Sequence, residues 1–131
     1  MNKKFMSALT IVTVTLFCVV AIAEALPLSS THFNSVTILF YASGSATFSA
    51  SLKKKCSSVG VSSCTLEKKD GNNWTFESML PTPNSKTDTS FYAASQDYSA
   101  HLTSGVTYRL VVVYEADGEQ VTKTSSSITY K

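Results

Sequence analysis

Thr107-Tyr108-Arg109-Leu110-Val111-Val112-Val113-Tyr114-Glu115 alternates without a break. Tyr108, Leu110, Val112 and Tyr114 share one face of an extended chain, and Arg109, Val111, Val113 and Glu115 the other. Because both faces carry apolar residues, the stretch reads as a central, well-covered strand. Period two also governs Ala46, Phe48, Ala50 and Leu52, which oppose Thr47, Ser49 and Ser51. Val36, Ile38 and Phe40 predict an opening strand. Cys64 and Leu66 predict a third, Trp74 and Phe76 a fourth, and Tyr98, Ala100 and Leu102 a fifth. Gln120 to Tyr130, rich in β-branched residues, predicts a closing strand.

Turn chemistry separates these strands. Asp70-Gly71-Asn72-Asn73 and Asp117-Gly118 hold residues that accept positive φ, so both read as hairpin turns. Pro81 and Pro83 deny backbone donors and mark a loop. No stretch beyond the first 25 residues sustains helical periodicity. Six or seven short strands in about 100 residues, with a turn roughly every ten, predict an all-β, antiparallel sandwich.

The N-terminal segment reads differently. Met1-Asn2-Lys3-Lys4 is basic, Ala8 to Ala23 is an apolar run broken only by threonines, and Ala23-Glu24-Ala25 offers small residues at a cleavage site. That order is the secretory signature, and it predicts a signal-peptide helix over residues 1–25, cleaved after Ala25 with Ala23 as the second choice. A retained transmembrane helix needs about 20 apolar residues, more than this run supplies. Cys18 follows the bulky Phe17, where a lipoprotein signal needs a small residue. Leu80-Pro81-Thr82-Pro83 lacks the glycine and apolar tail of a sortase signal. The expected product is a secreted protein without a stable membrane anchor, extracellular or held at the cell envelope.

Removing residues 1–25 from 131 leaves 106, one domain by size. Residues 26–34 are expected to be a flexible leader and 35–131 the domain. Without Lys3, Lys4 and Glu24, the 11 basic and nine acidic residues become nine and eight, a balance of +1. Nucleic-acid binders carry a strong basic patch, and the one basic run, Lys53-Lys54-Lys55, reads better as a solvated strand end. No nucleic-acid partner is expected.

Leu102-Thr103-Ser104-Gly105-Val106-Thr107-Tyr108-Arg109-Leu110-Val111-Val112 resembles the late-strand signature of fibronectin type III and related immunoglobulin-like domains. In those folds a leucine precedes a glycine turn, and a tyrosine six residues after the leucine opens the penultimate strand. The resemblance implies a tyrosine corner built on Leu102, Gly105 and Tyr108, with the tyrosine hydroxyl bonded back to nearby backbone. Leu66 to Trp74 resembles the middle hairpin of such domains. The whole layout is similar to small uncharacterised secreted proteins of Firmicutes with a signal peptide and one immunoglobulin-like domain. One departure is plain: the early-strand tryptophan common in fibronectin type III domains is missing, and Phe48 is the nearest aromatic. The resemblance implies a fold and a location, and no activity.

Cys56 and Cys64 are the cysteines beyond residue 25. An even count in an exported protein favours a disulfide. In one straight strand the two would stand about 27 Å apart, whereas a bridge needs Cα atoms within roughly 7 Å. A bridge therefore requires the chain to reverse, for which Ser57-Ser58-Val59-Gly60 is the candidate. The other reading makes Cys64 a core thiol in line with Leu66 and Cys56 a loop thiol.

Catalytic chemistry finds no motif. His32 falls in the leader and His101 alternates outward, and neither has zinc-ligand spacing around it. Gly44-Ser45-Ala46 is not a nucleophile elbow. Each acidic turn supplies two or three oxygens where calcium wants 6–8, and Asn73-Trp74-Thr75 matches a glycosylation sequon by coincidence in a bacterial-looking protein. No cofactor, metal or catalytic residue is expected. Aromatics are the remaining lead, because exposed rings stack on sugars or anchor protein interfaces. Trp74 reads as a core residue or a ligand platform. Phe91 and Tyr92 are adjacent on a strand, so one of them must face outward. The expectation is a non-catalytic, adhesion-type binding module for a protein or a cell-surface glycan; the alternative is an envelope component that self-associates through strand edges.

Overall fold

The computed structural model describes residues 30–131, and the signal peptide expected over residues 1–25 lies outside them. Seven strands form one antiparallel sheet: β1 (Phe33–Phe40), β2 (Ser45–Asp70), β3 (Asn73–Met79), β4 (Lys86–Asp97), β5 (Thr107–Ala116), β6 (Glu119–Thr124) and β7 (Ile128–Thr129). A single 3-10 turn, Ser99–His101, precedes β5, and no α-helix occurs among the described residues.

β2 is the spine of the molecule. Its first half pairs with β1 on one edge and β4 on the other. Its second half pairs with β5 on the first edge and β3 on the second, while β6 and β7 extend the sheet beyond β5. The sequence explains how one strand of 26 residues serves both ends. Ala46, Phe48, Ala50 and Leu52 point into the core, as do Cys56, then Val59 and Val61, then Cys64 and Leu66. The inward phase thus slips twice, between Cys56 and Val59 and between Val61 and Cys64, and the pairing register shifts close by, between Ser51 and Cys56 and between Val61 and Ser63. Such irregularities bend a strand and raise its twist. The sheet curls into a half-barrel around a single core.

That core is rich in tyrosine. Tyr92, Tyr98, Tyr108 and Tyr114 are fully buried or nearly so, and each hydroxyl meets backbone. Tyr92 donates to Asn84 O at 2.9 Å and Tyr98 to Pro81 O at 2.7 Å, which pins the loop between β3 and β4. Tyr114 donates to Thr37 O at 2.6 Å and ties β5 to β1 across the curl. The Tyr108 hydroxyl accepts from Thr103 N–H at 2.9 Å, five residues back along the chain. Buried polar atoms are costly without partners; among the described residues every buried side-chain nitrogen and oxygen has one.

Four expectations are corrected. The strands expected at 46–52 and at 64–66 are one strand, because the serines and Gly60 between them continue the pairing instead of turning. Cys56 and Cys64 are consequently separate buried free thiols, and the expected bridge is not formed. Residues 98–102 form the 3-10 turn and its flank, since Asp97 accepts from Ser99 N–H at 2.9 Å and ends β4 there. The leader is shorter than expected: Phe33 opens β1 inside the core and Ser30 is buried.

Candidate functional site

The aromatic candidates separate by strand parity. Tyr92 faces inward against Ala50, and its hydroxyl is spent on Asn84, so it supports the fold and offers no surface. Phe91, its neighbour, points outward and is 56% exposed. Trp74 and Phe76 do not enter the core: β3 turns them to the outer face, where Phe76 is 63% exposed. Trp74 is half-buried under the Arg109 guanidinium, 4.4 Å from the ring centroid, with the Lys69 ammonium at 5.8 Å. Arg109 is itself held by Glu67, Nε to Oε1 at 2.7 Å. A ring covered by cations in this way gains about 0.5–1 kcal/mol of attraction, and its covered face is closed to a sugar.

Phe91 belongs to a surface that the alternation creates but does not announce. On the outer side of β1, β2 and β4, cross-strand rows read Ser35, Ser51, Phe91; Thr37, Ser49, Ala93; and Leu39, Thr47, Ser95. The middle strand carries only short hydroxyl side chains, while Leu39 stands half-exposed beside them. At one end of this face lies a cleft of 510 Å³ lined by Tyr41, Ser43, Ser45, Thr47, Ser95 and Asp97. Tyr41 is 45% exposed at its rim. The turn that places it is tight: Gly44 N–H donates to Tyr41 O at 2.8 Å, and Tyr41 N–H donates to Ser45 O at 2.9 Å. The hydrogen bonds of Ser99, from backbone and side chain, hold the Asp97 carboxyl below its ordinary range. The cleft therefore combines hydroxyls, one carboxylate and an aromatic edge.

A second cluster joins three elements distant in sequence. A ring nitrogen of His32, the Cys56 sulfur and an Asp117 carboxylate oxygen lie within 4.8 Å of one another. Asp117 sits in the β5–β6 turn with φ 45°, followed by Gly118 at φ 92°, as a two-residue hairpin of the mirror-image type requires. Its oxygens accept from Ser57 N–H at 3.1 Å and Ser58 N–H at 2.9 Å, which depress its carboxyl. Burial pushes the Cys56 thiol up, and the Asp117 charge adds to that. Burial also raises the Glu119 carboxyl, but hydrogen bonds from His32 and Thr31 outweigh it and leave a net downward shift. Sequence reading passed over this cluster because its members come from the N-terminal bend, β2 and a turn, with no local spacing to mark them.

Among the structural candidates, Leu102 packs at the edge of the core, and Gly105, at φ 85°, donates its N–H to Tyr130 O at 2.8 Å. His101 is exposed on the 3-10 turn, edge-on to Tyr98 at 6.3 Å between centroids. Compared with known proteins, the chain matches no family model and no curated protein.

Proposed function

We propose that this chain is an exported, non-catalytic binding module that takes a neutral glycan on the outer face of β1, β2 and β4. The observation that carries the reading is the hydroxyl-lined cleft beside half-exposed Tyr41. Sugars present apolar ring faces fringed by hydroxyls, and they suit a site that pairs an aromatic ring with short polar groups. Asp97 is the one charged residue among those lining the cleft, which disfavours a highly charged ligand. Phe91, along the same face, gives a longer glycan a second apolar contact. The fold that accompanies this reading is an immunoglobulin-like, fibronectin type III-like sandwich. The Thr103 to Tyr108 hydrogen bond supports it, being the contact that a tyrosine corner makes. Export rests on the secretory pattern of residues 1–25.

The test is co-sedimentation of the purified protein with bare cell-wall sacculi and with an insoluble neutral polysaccharide. The wild type is expected to pellet with at least one, and Tyr41→Ala to weaken that binding about tenfold, as loss of one stacking contact implies. A wild-type protein that stays in the supernatant with both, or a Tyr41→Ala variant that pellets equally well, overturns the reading.

A specific observation also favours self-association. Among the described residues β3 pairs only with β2, and it carries Phe76 and Met79, both more than half exposed. A free edge with apolar side chains is a template for a second strand. Sedimentation velocity at rising concentration is expected to show association that Phe76→Lys abolishes; a strictly monomeric wild type rules it out.

A further inference from the structure

The His32, Cys56 and Asp117 cluster has the makings of a metal site. Its donors are an imidazole nitrogen, a thiol sulfur and a carboxylate oxygen, a mixture that suits a borderline divalent ion and not calcium or magnesium, which take oxygen alone. We propose that His32, Cys56 and Asp117 bind a zinc-class divalent ion, with a water in the fourth position.

Three features support the assignment beyond proximity. First, His32 is oriented as metal-binding histidines are. Its Nδ1 stands 3.1 Å from Glu119 Oε1, and its own backbone N–H donates to the same oxygen at 2.8 Å. A carboxylate only accepts, so Nδ1 carries a proton, and in the neutral imidazole the lone pair lies on the other ring nitrogen. This is the carboxylate–histidine arrangement that fixes the tautomer of a zinc ligand. Second, the Asp117 carboxylate is aimed by the two amides of Ser57 and Ser58. The amides occupy one lone pair on each oxygen, and a carboxylate has others to give. Third, the thiol that would be the strongest ligand is buried while Asp117 is exposed. The sulfur is thus fixed by packing, and the exposed carboxylate leaves the ion a route in from the solvent side.

The distances allow the site to close. In a tetrahedral site with bonds of about 2.0–2.3 Å, donor atoms stand about 3.3–3.6 Å apart. The present limit of 4.8 Å leaves roughly one ångström to close, which side-chain rotation at Asp117 and His32 supplies. Binding balances simply. The Cys56 S–H bond breaks and its proton passes to solvent, a Zn–S bond forms, and the ion exchanges aqua ligands for sulfur, nitrogen and oxygen. Thiolate and carboxylate together cancel the two positive charges. The bound ion would join the N-terminal bend, β2 and the β5–β6 turn at one point.

The experiment uses chelator-stripped protein and Zn²⁺ alone, by titration calorimetry, followed by Co²⁺ as a spectroscopic substitute. One ion per chain is expected, with a thiolate-to-cobalt charge-transfer band in the near ultraviolet. Cys56→Ser is expected to remove that band, and Asp117→Asn and His32→Ala to weaken Zn²⁺ binding at least tenfold. Glu119→Gln, at a positioning residue, is expected to weaken it 10- to 100-fold without changing the band's position. Cys64→Ala leaves the band in place. The unmutated protein supplies a readout independent of folding defects: its melting temperature rises steadily with Zn²⁺ concentration. A wild type without the cobalt band, a band that survives Cys56→Ser, or a melting temperature indifferent to Zn²⁺ overturns the site.

Discussion

Burial pushes the Cys64 thiol up from 9.0 to about 11, and it raises the phenols of Tyr92, Tyr98 and Tyr114 as well. All four groups are neutral when protonated, so the folded protein resists an ionisation that the unfolded chain accepts. The sign follows from linkage: the stabilisation is complete below the unfolded thiol value of 9.0 and is lost as pH climbs through about 11. For Cys64 alone the difference amounts to roughly 3 kcal/mol. The urea midpoint should therefore hold steady up to about pH 8 and drop sharply by pH 11; a midpoint unchanged over that span contradicts the burial of these groups. That Cys64 lies in line with Leu66 was legible from parity. The backbone partners of the tyrosine hydroxyls were not, because Asn84, Pro81 and Thr37 reach them only through folding.

Elements with a one-sided pattern were read well, and those with a broken or polar pattern were not. β1, β3 and β5 fall where alternation and turn residues put them. β4 showed only at Phe91 and Tyr92, because one of its 12 residues, Tyr92, is buried and no period marks its full length. β2 was split in two because its phase slips after Cys56 and again near Ser62, and a slip resembles a turn when only sequence is seen. The two readings of Trp74, core residue or ligand platform, stayed open for a related reason: alternation tells which residues share a face, and the partner strands decide which face is inside. The β1–β2 connection can be tested directly. Gly44 has φ 95°, and a Cβ there would come within 2.8 Å of the Ser99 backbone. Gly44→Ala is expected to cost roughly 1–3 kcal/mol through strain and overpacking combined. A change below about 0.5 kcal/mol in a denaturant titration would show that the turn and the 3-10 segment are not in such close approach.

At the level of the whole molecule, stability depends on closing the curl. The hydrogen bond from Tyr114 to Thr37 crosses from β5 to β1, two strands that do not pair directly. Tyr114→Phe keeps the buried ring but leaves the Thr37 carbonyl without this donor. A loss of about 1–2 kcal/mol is expected, with hydrogen exchange accelerated in β1 more than in β2; equal protection in both variants would mean that packing alone holds the curl. By itself, the sequence determined the all-β class, the two hairpin turns and the central strand over 107–115, since these follow from side-chain alternation and from residues that tolerate positive φ. Only the tertiary structure decided that β2 is continuous, that the cysteines stay apart and that His32, Cys56 and Asp117 meet. It also decided that the outward serines and threonines of two strands line one cleft with Tyr41. Those outcomes depend on which strand edges pair and where the sheet bends, and such long-range choices leave no period in the chain.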